Sequence, residues 1–126
     1  MPSLAPLSRQ RIVLTGATSG IGLATARSAA AAGARLVLVA RNAGALARLA
    51  GELGGPAVAV PCPGDVAETA THARAAQAAR EAFGGFDSWV NDAGAFIYGR
   101  VDEVEEADQR RLFDVTYWGT LHGSLE

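Results

Sequence analysis

The stretch Thr15-Gly16-Ala17-Thr18-Ser19-Gly20-Ile21-Gly22 decides the fold of this chain. It lies between a short β-branched run, Arg11 to Thr15, and an alanine-rich segment, Gly20 to Ala32, that reads as a helix. Gly16 permits a turn straight off the strand. Gly20 lets backbone approach a pyrophosphate with no Cβ in the way, and Gly22 allows close helix packing. A helix that opens here presents free N–H groups to an anion, so Ser19, Ile21 and the neighbouring Thr18 are candidate phosphate contacts. The spacing is Gly-x-x-x-Gly-x-Gly, distinct from Gly-x-Gly-x-x-Gly and from the lysine-bearing P-loop. A P-loop is excluded outright, because all 11 cations are arginine and the chain contains no lysine. Taken alone, these glycines also suit an ordinary turn opening a helix.

Outward from this loop, strand-like and helix-like segments alternate without a long linker, the pattern of βαβ units and a parallel sheet. Strands are expected at Arg11 to Thr15, Arg35 to Ala40, Val58 to Cys62 and Phe86 to Asn91, with helices at Gly20 to Ala32, Ala43 to Leu53, Ala67 to Phe83 and from Glu103 onward. Leu36-Val37-Leu38-Val39 is apolar without alternation, as in a parallel strand covered on both faces. Leu46, Leu49, Ala50 and Leu53 form one helical stripe, with Arg48 and Glu52 on the wet side. Gly84-Gly85 signals the end of the third helix. The expected architecture is α/β: one doubly wound, Rossmann-like domain over residues 1–126, with about four parallel strands in the order 3-2-1-4 and helices on both faces. Strand four then forms an edge with unpaired backbone groups, and self-association or pairing with a partner chain is expected there.

Composition narrows the functional classes. With 49% apolar and 19% charged residues and a formal charge of −2, the chain is globular and has no basic patch for nucleic acid or an anionic membrane. Its longest apolar stretch, Ala29 to Val39, is broken by Gly33 and Arg35, and Met1 to Gln10 lacks the apolar run of a signal peptide, so a cytoplasmic location is expected. Cys62 is the sole cysteine and is expected to be a buried, inert thiol. His72 and His122 lie far apart in sequence without partners at ligand spacing; both are expected at the surface, and no metal site is expected.

Thr15-Gly-x-x-x-Gly-Ile-Gly22 after the first strand resembles the cofactor motif of the short-chain dehydrogenases/reductases. Three later segments match that family in order. Asp65-Val66 resembles its Asp-Val pair, which implies a carboxylate bonded to adenine. Asn91-Asp92-Ala93-Gly94 resembles its Asn-Asn-Ala-Gly motif, which implies sheet stabilisation and a wall of the adenosine pocket. Phe113 to Gly119 resembles the helix carrying a catalytic asparagine, with Thr116 in the asparagine's place. Read without the resemblance, Asp65 also suits an N-cap of the third helix, and Asn91 to Gly94 a plain strand-ending turn.

The resemblance implies a nicotinamide dinucleotide, and the end of strand two bears on which one. An NAD site places an acidic residue there for the ribose 2′-OH. This chain has Ala40 followed by Arg41, whose guanidinium suits a 2′-phosphate, and Asn42 can add a neutral hydrogen bond. NADP(H) is therefore expected over NAD(H). The family's alcohol/carbonyl chemistry implies a serine and a Tyr-x-x-x-Lys pair, which a lysine-free chain cannot supply: Tyr98 precedes Asp102, and Tyr117 precedes Leu121, at that spacing. The expectation is a truncated, N-terminal half that binds cofactor without turnover. The alternatives are a nucleotide-sensing module and a piece that assembles with another chain.

Overall fold

Residues 4–126 are described by a computed structural model of the chain. Its centre is a four-stranded parallel sheet: β1 (Arg11–Thr15), β2 (Arg35–Ala40), β3 (Ala59–Pro63) and β4 (Ser88–Val90), in the order β3-β2-β1-β4. The expected order is the observed one. Val13 of β1 sits level with Val37 of β2 on one side and Trp89 of β4 on the other.

Successive side chains of a strand point to opposite faces, and both faces here are covered. Ile12, Leu14, Leu36 and Leu38 pack under α1 (Gly20–Ala31) and α2 (Ala43–Leu53), against Ala26, Ala29, Leu46 and Leu49. Val13, Val37, Val39 and Cys62 pack on the other face, against Ala75 and Ala79 of α3 (Thr69–Phe83) and Val115. This division explains why β2 reads as an unbroken apolar run. Alanines line the inner face of α3, and α3 ends where expected. Gly84 adopts φ +78, its N–H donates to the Arg80 carbonyl at 2.9 Å, and the Gly85 N–H donates to the Ala79 carbonyl at 3.1 Å.

Several boundaries move for local reasons. β3 runs Ala59–Pro63 and carries two prolines, which an edge strand tolerates. β4 is shorter than expected, at Ser88–Val90. α3 begins at Thr69 because Asp65 first folds a turn: its Oδ1 accepts the Ala67 N–H at 3.0 Å, and its carbonyl accepts the Glu68 N–H at 3.0 Å. Asp65 is therefore not the cap of that helix; Glu68 stands at the N-cap. The last helical run consists of α4 (Glu106–Phe113), a π-helical turn (Asp114–Trp118) and α5 (Gly119–Ser124).

The surface assignment of the histidines is corrected. His72 is 1% exposed, and the His72 and His122 rings approach to 6.0 Å between centroids. The His72 Nε2 donates to the Val66 carbonyl at 2.8 Å, and the rings pack beside Trp89 and Trp118. Folding α3 and α5 against one another brings together residues that are far apart in sequence.

Candidate functional site

The loop between β1 and α1 is shaped by what a Cβ would strike. Gly16, at φ +70, lies so close to the Asn91–Gly94 segment that a Cβ would stand 2.8 Å from the Ala93 nitrogen. A Cβ on Gly22 would collide with the Gly16 carbonyl oxygen. Gly20, at φ +52, faces open space. Ser19 is the N-cap of α1 but makes no side-chain cap bond, which leaves first-turn N–H groups of α1 to an incoming anion. This cradle therefore fits a phosphate-bearing ligand: two glycines close the loop against its neighbours, and the third opens it outward.

Beside the loop lies a cleft of about 440 Å³. Gly16, Thr18 and Ser19 form one wall, Ala40, Arg41 and Asn42 come from the end of β2, and Asp65 and Val66 follow β3. Asp92, Ala93 and Gly94 come from the end of β4. The cleft thus opens at the carboxyl ends of the strands, with β2, reached from β1 through α1, on one side of β1 and β4, reached from β3 through α3, on the other; this is the usual ligand position in open α/β sheets. Gly20, Ile21, Gly22 and Asn91 do not line it. Gly22 is buried in the loop packing, and Ile21 is 77% exposed. Asn91 ties β4 to α5: its Oδ1 accepts the Trp89 Nε1–H at 3.1 Å, and its Nδ2 donates to Ser124 Oγ at 3.1 Å.

The charges in the cleft are unevenly satisfied. Asp65 Oδ2 accepts from the Arg111 guanidinium at 2.6 Å. Burial works to raise the Asp65 pKa, but the Ala67 N–H and Arg111 outweigh it and hold the carboxyl below its ordinary value. Arg41 makes no ion pair among the described residues. Asn42 Oδ1 accepts the Ala45 N–H at 2.9 Å, so this side chain caps α2. Burial pushes the Cys62 thiol up, against the opposing pull of Arg74. Among the described residues no group of three or more His, Cys, Asp or Glu can hold a metal ion, and no helix is long and apolar enough to cross a membrane.

Two contributors were missed from sequence. Thr15 is 2% exposed, and its Oγ1 accepts the Asp92 and Ala93 N–H groups, both at 3.1 Å, clamping the ends of β1 and β4 together. Arg111 reaches the cleft from α4. Neither had a local signal, because each acts on residues far away in sequence. Thr116, at the place of the family's asparagine, spends its hydroxyl on Ala95: it accepts the N–H and donates to the carbonyl, both at 3.2 Å.

Residues 10–126 match the family model described as short chain dehydrogenase. The chain is 44% identical over 124 residues to the uncharacterized oxidoreductase YxnA of Bacillus subtilis, an alignment covering 96% of this chain and 34% of that protein. Among solved structures, a short chain dehydrogenase/reductase of Burkholderia phymatum in complex with NAD superposes with a TM-score of 0.90 at 34% identity, covering 97% of this chain and 44% of that one. L-sorbose reductase of Gluconobacter frateurii, complexed with NADPH and L-sorbose, gives a TM-score of 0.80 at 30% identity, covering 92% of this chain and 45% of its own. The chain spans between 34% and 45% of the length of these three proteins.

Proposed function

The chain belongs to the short chain dehydrogenase family, and from that premise we propose that its cleft holds NADP(H) in preference to NAD(H). The observation that carries the preference is Arg41: an exposed guanidinium on the cleft wall at the end of β2, without an ion pair among the described residues, where a 2′-OH site would carry a carboxylate. A guanidinium can meet a phosphate through two parallel charge-assisted hydrogen bonds.

In this reading Gly16, Thr18, Ser19, Gly20, Ile21 and Gly22 form the cradle for the two phosphates, and Arg41 with Asn42 takes the 2′-phosphate. Asp65 and Val66 bound the adenine, with Asp65 as acceptor for its amino group; Ala93 and Gly94 close the opposite wall, and Asn91 supports it from behind. Bound NADP(H) would supply the hydride-transfer chemistry. These residues bind and orient it, and turnover is not expected from them, because a lysine-free stretch holds no Tyr-x-x-x-Lys pair. For a whole protein of the relatives' length, we propose oxidation or reduction of an alcohol/carbonyl substrate. Arg41→Asp is expected to weaken NADPH binding by roughly tenfold to a hundredfold, the equivalent of one charge-assisted contact, while barely changing NADH. Equal losses for both nucleotides in a fluorescence titration would remove Arg41 from the 2′-phosphate role.

A further inference from the structure

Asp92 places a carboxylate on the phosphate side of the cleft, and the geometry points to its acting as an electrostatic brake on dinucleotide binding; this inference rests on the NADP(H) reading above. Asp92 shares the cleft wall with Gly16, Thr18 and Ser19. Its Oδ2 lies 2.5 Å from the point where a Cβ on Gly22 would stand, which sets it against the first turn of α1. The residue is held there by its backbone, whose N–H donates to Thr15 Oγ1 at 3.1 Å. Among the described residues its carboxylate enters no ion pair, and Arg111, the cation with which the cleft could neutralise it from α4, is already paired with Asp65 at 2.6 Å.

An uncompensated negative charge therefore stands beside the helix N-terminus that the proposed cradle offers to phosphate. The α1 N-terminus favours an anion. The carboxylate takes part of that favourable field for itself and repels a second anion brought close to it. Asparagine has nearly the same shape, carries no charge and adds an N–H donor. Removing this charge strengthens the binding of ligands that bring phosphate to the loop and leaves phosphate-free ligands alone.

The test titrates the unmodified chain, Asp92→Asn and Asp92→Ser with NADPH and with adenosine, each at low and high salt. Both neutral variants are expected to bind NADPH about tenfold more tightly at low salt, with the gain shrinking as salt screens the charge, and adenosine affinity is expected to stay within about twofold. A gain of this kind cannot come from damage to the fold, and the two variants together guard against one of them folding poorly. Unchanged or weaker NADPH binding in variants with an intact thermal transition overturns the brake, as does an equal gain for adenosine. If the unmodified chain binds no NADPH while a neutral variant does, the brake is supported. If none of the three binds NADPH, both the brake and the NADP(H) reading fall.

Discussion

A methyl group at Gly22 has nowhere to go. It would land on the Gly16 carbonyl oxygen, a backbone atom that cannot swing aside, so Gly22→Ala must push α1 away from the loop. Gly20 is different: its missing Cβ faces open space, and the cost of Gly20→Ala lies in its φ of +52 alone. Overpacking of the first kind costs about 1–3 kcal/mol, often more against backbone, while left-handed strain costs about 1–2 kcal/mol. Urea denaturation should show Gly22→Ala as the more destabilised variant, with NADPH binding lost as well; a milder loss than for Gly20→Ala would contradict this account of the loop. The glycine spacing made these roles legible, because a turn, a close approach and a helix start are local events. The role of Thr15 is not legible in the motif, since its partners Asp92 and Ala93 stand 77 and 78 residues away. Arg111 stayed hidden for the same reason, at 46 residues from Asp65.

At the scale of elements, an ion pair at the start of β1 adds to the β1–β4 ladder and the Thr15 clamp. Arg11 Nε and Nη2 donate to the Asp87 carboxylate at 2.9 and 2.7 Å, and the Arg11 backbone N–H donates to it at 2.9 Å. The Arg11 side chain, with help from its N–H, holds the Asp87 pKa at about 2, against an ordinary 3.8. A carboxyl whose folded pKa lies below its unfolded value stabilises the fold above the unfolded pKa and loses that contribution as pH falls through the folded one. The window is thus from 3.8 down to about 2. Asp87→Asn should lower the thermal midpoint at neutral pH and flatten the acid dependence within that window; parallel pH profiles for the two proteins would show that the pair does not stabilise this junction. The elements themselves were legible as apolar runs and stripes, and their order followed. Boundaries were less so, because the Asp65 turn that delays α3 and the shortness of β4 depend on tertiary contacts. The histidines show the limit plainly: nothing near His72 in sequence announces that α5 will close over it.

At the scale of the molecule, the site is a product of topology. The order β3-β2-β1-β4 brings the ends of four strands to one rim. The glycine loop, Arg41, Asp65 and Asp92 then share a single cleft of about 440 Å³ although they are spread through most of the chain. The sequence motifs announced the members of this set one by one. Their pairings, including the Asp65–Arg111 bond and the charge left on Asp92, appear only once the strands are assembled. We propose that this assembled cleft takes NADP(H) and discriminates by the 2′-phosphate. Calorimetric titration of the chain with NADPH and NADH tests it most directly: saturable binding of NADPH, at least about tenfold tighter than NADH, is the predicted result, and absence of NADPH binding, or NADH binding as tightly or more so, would contradict it.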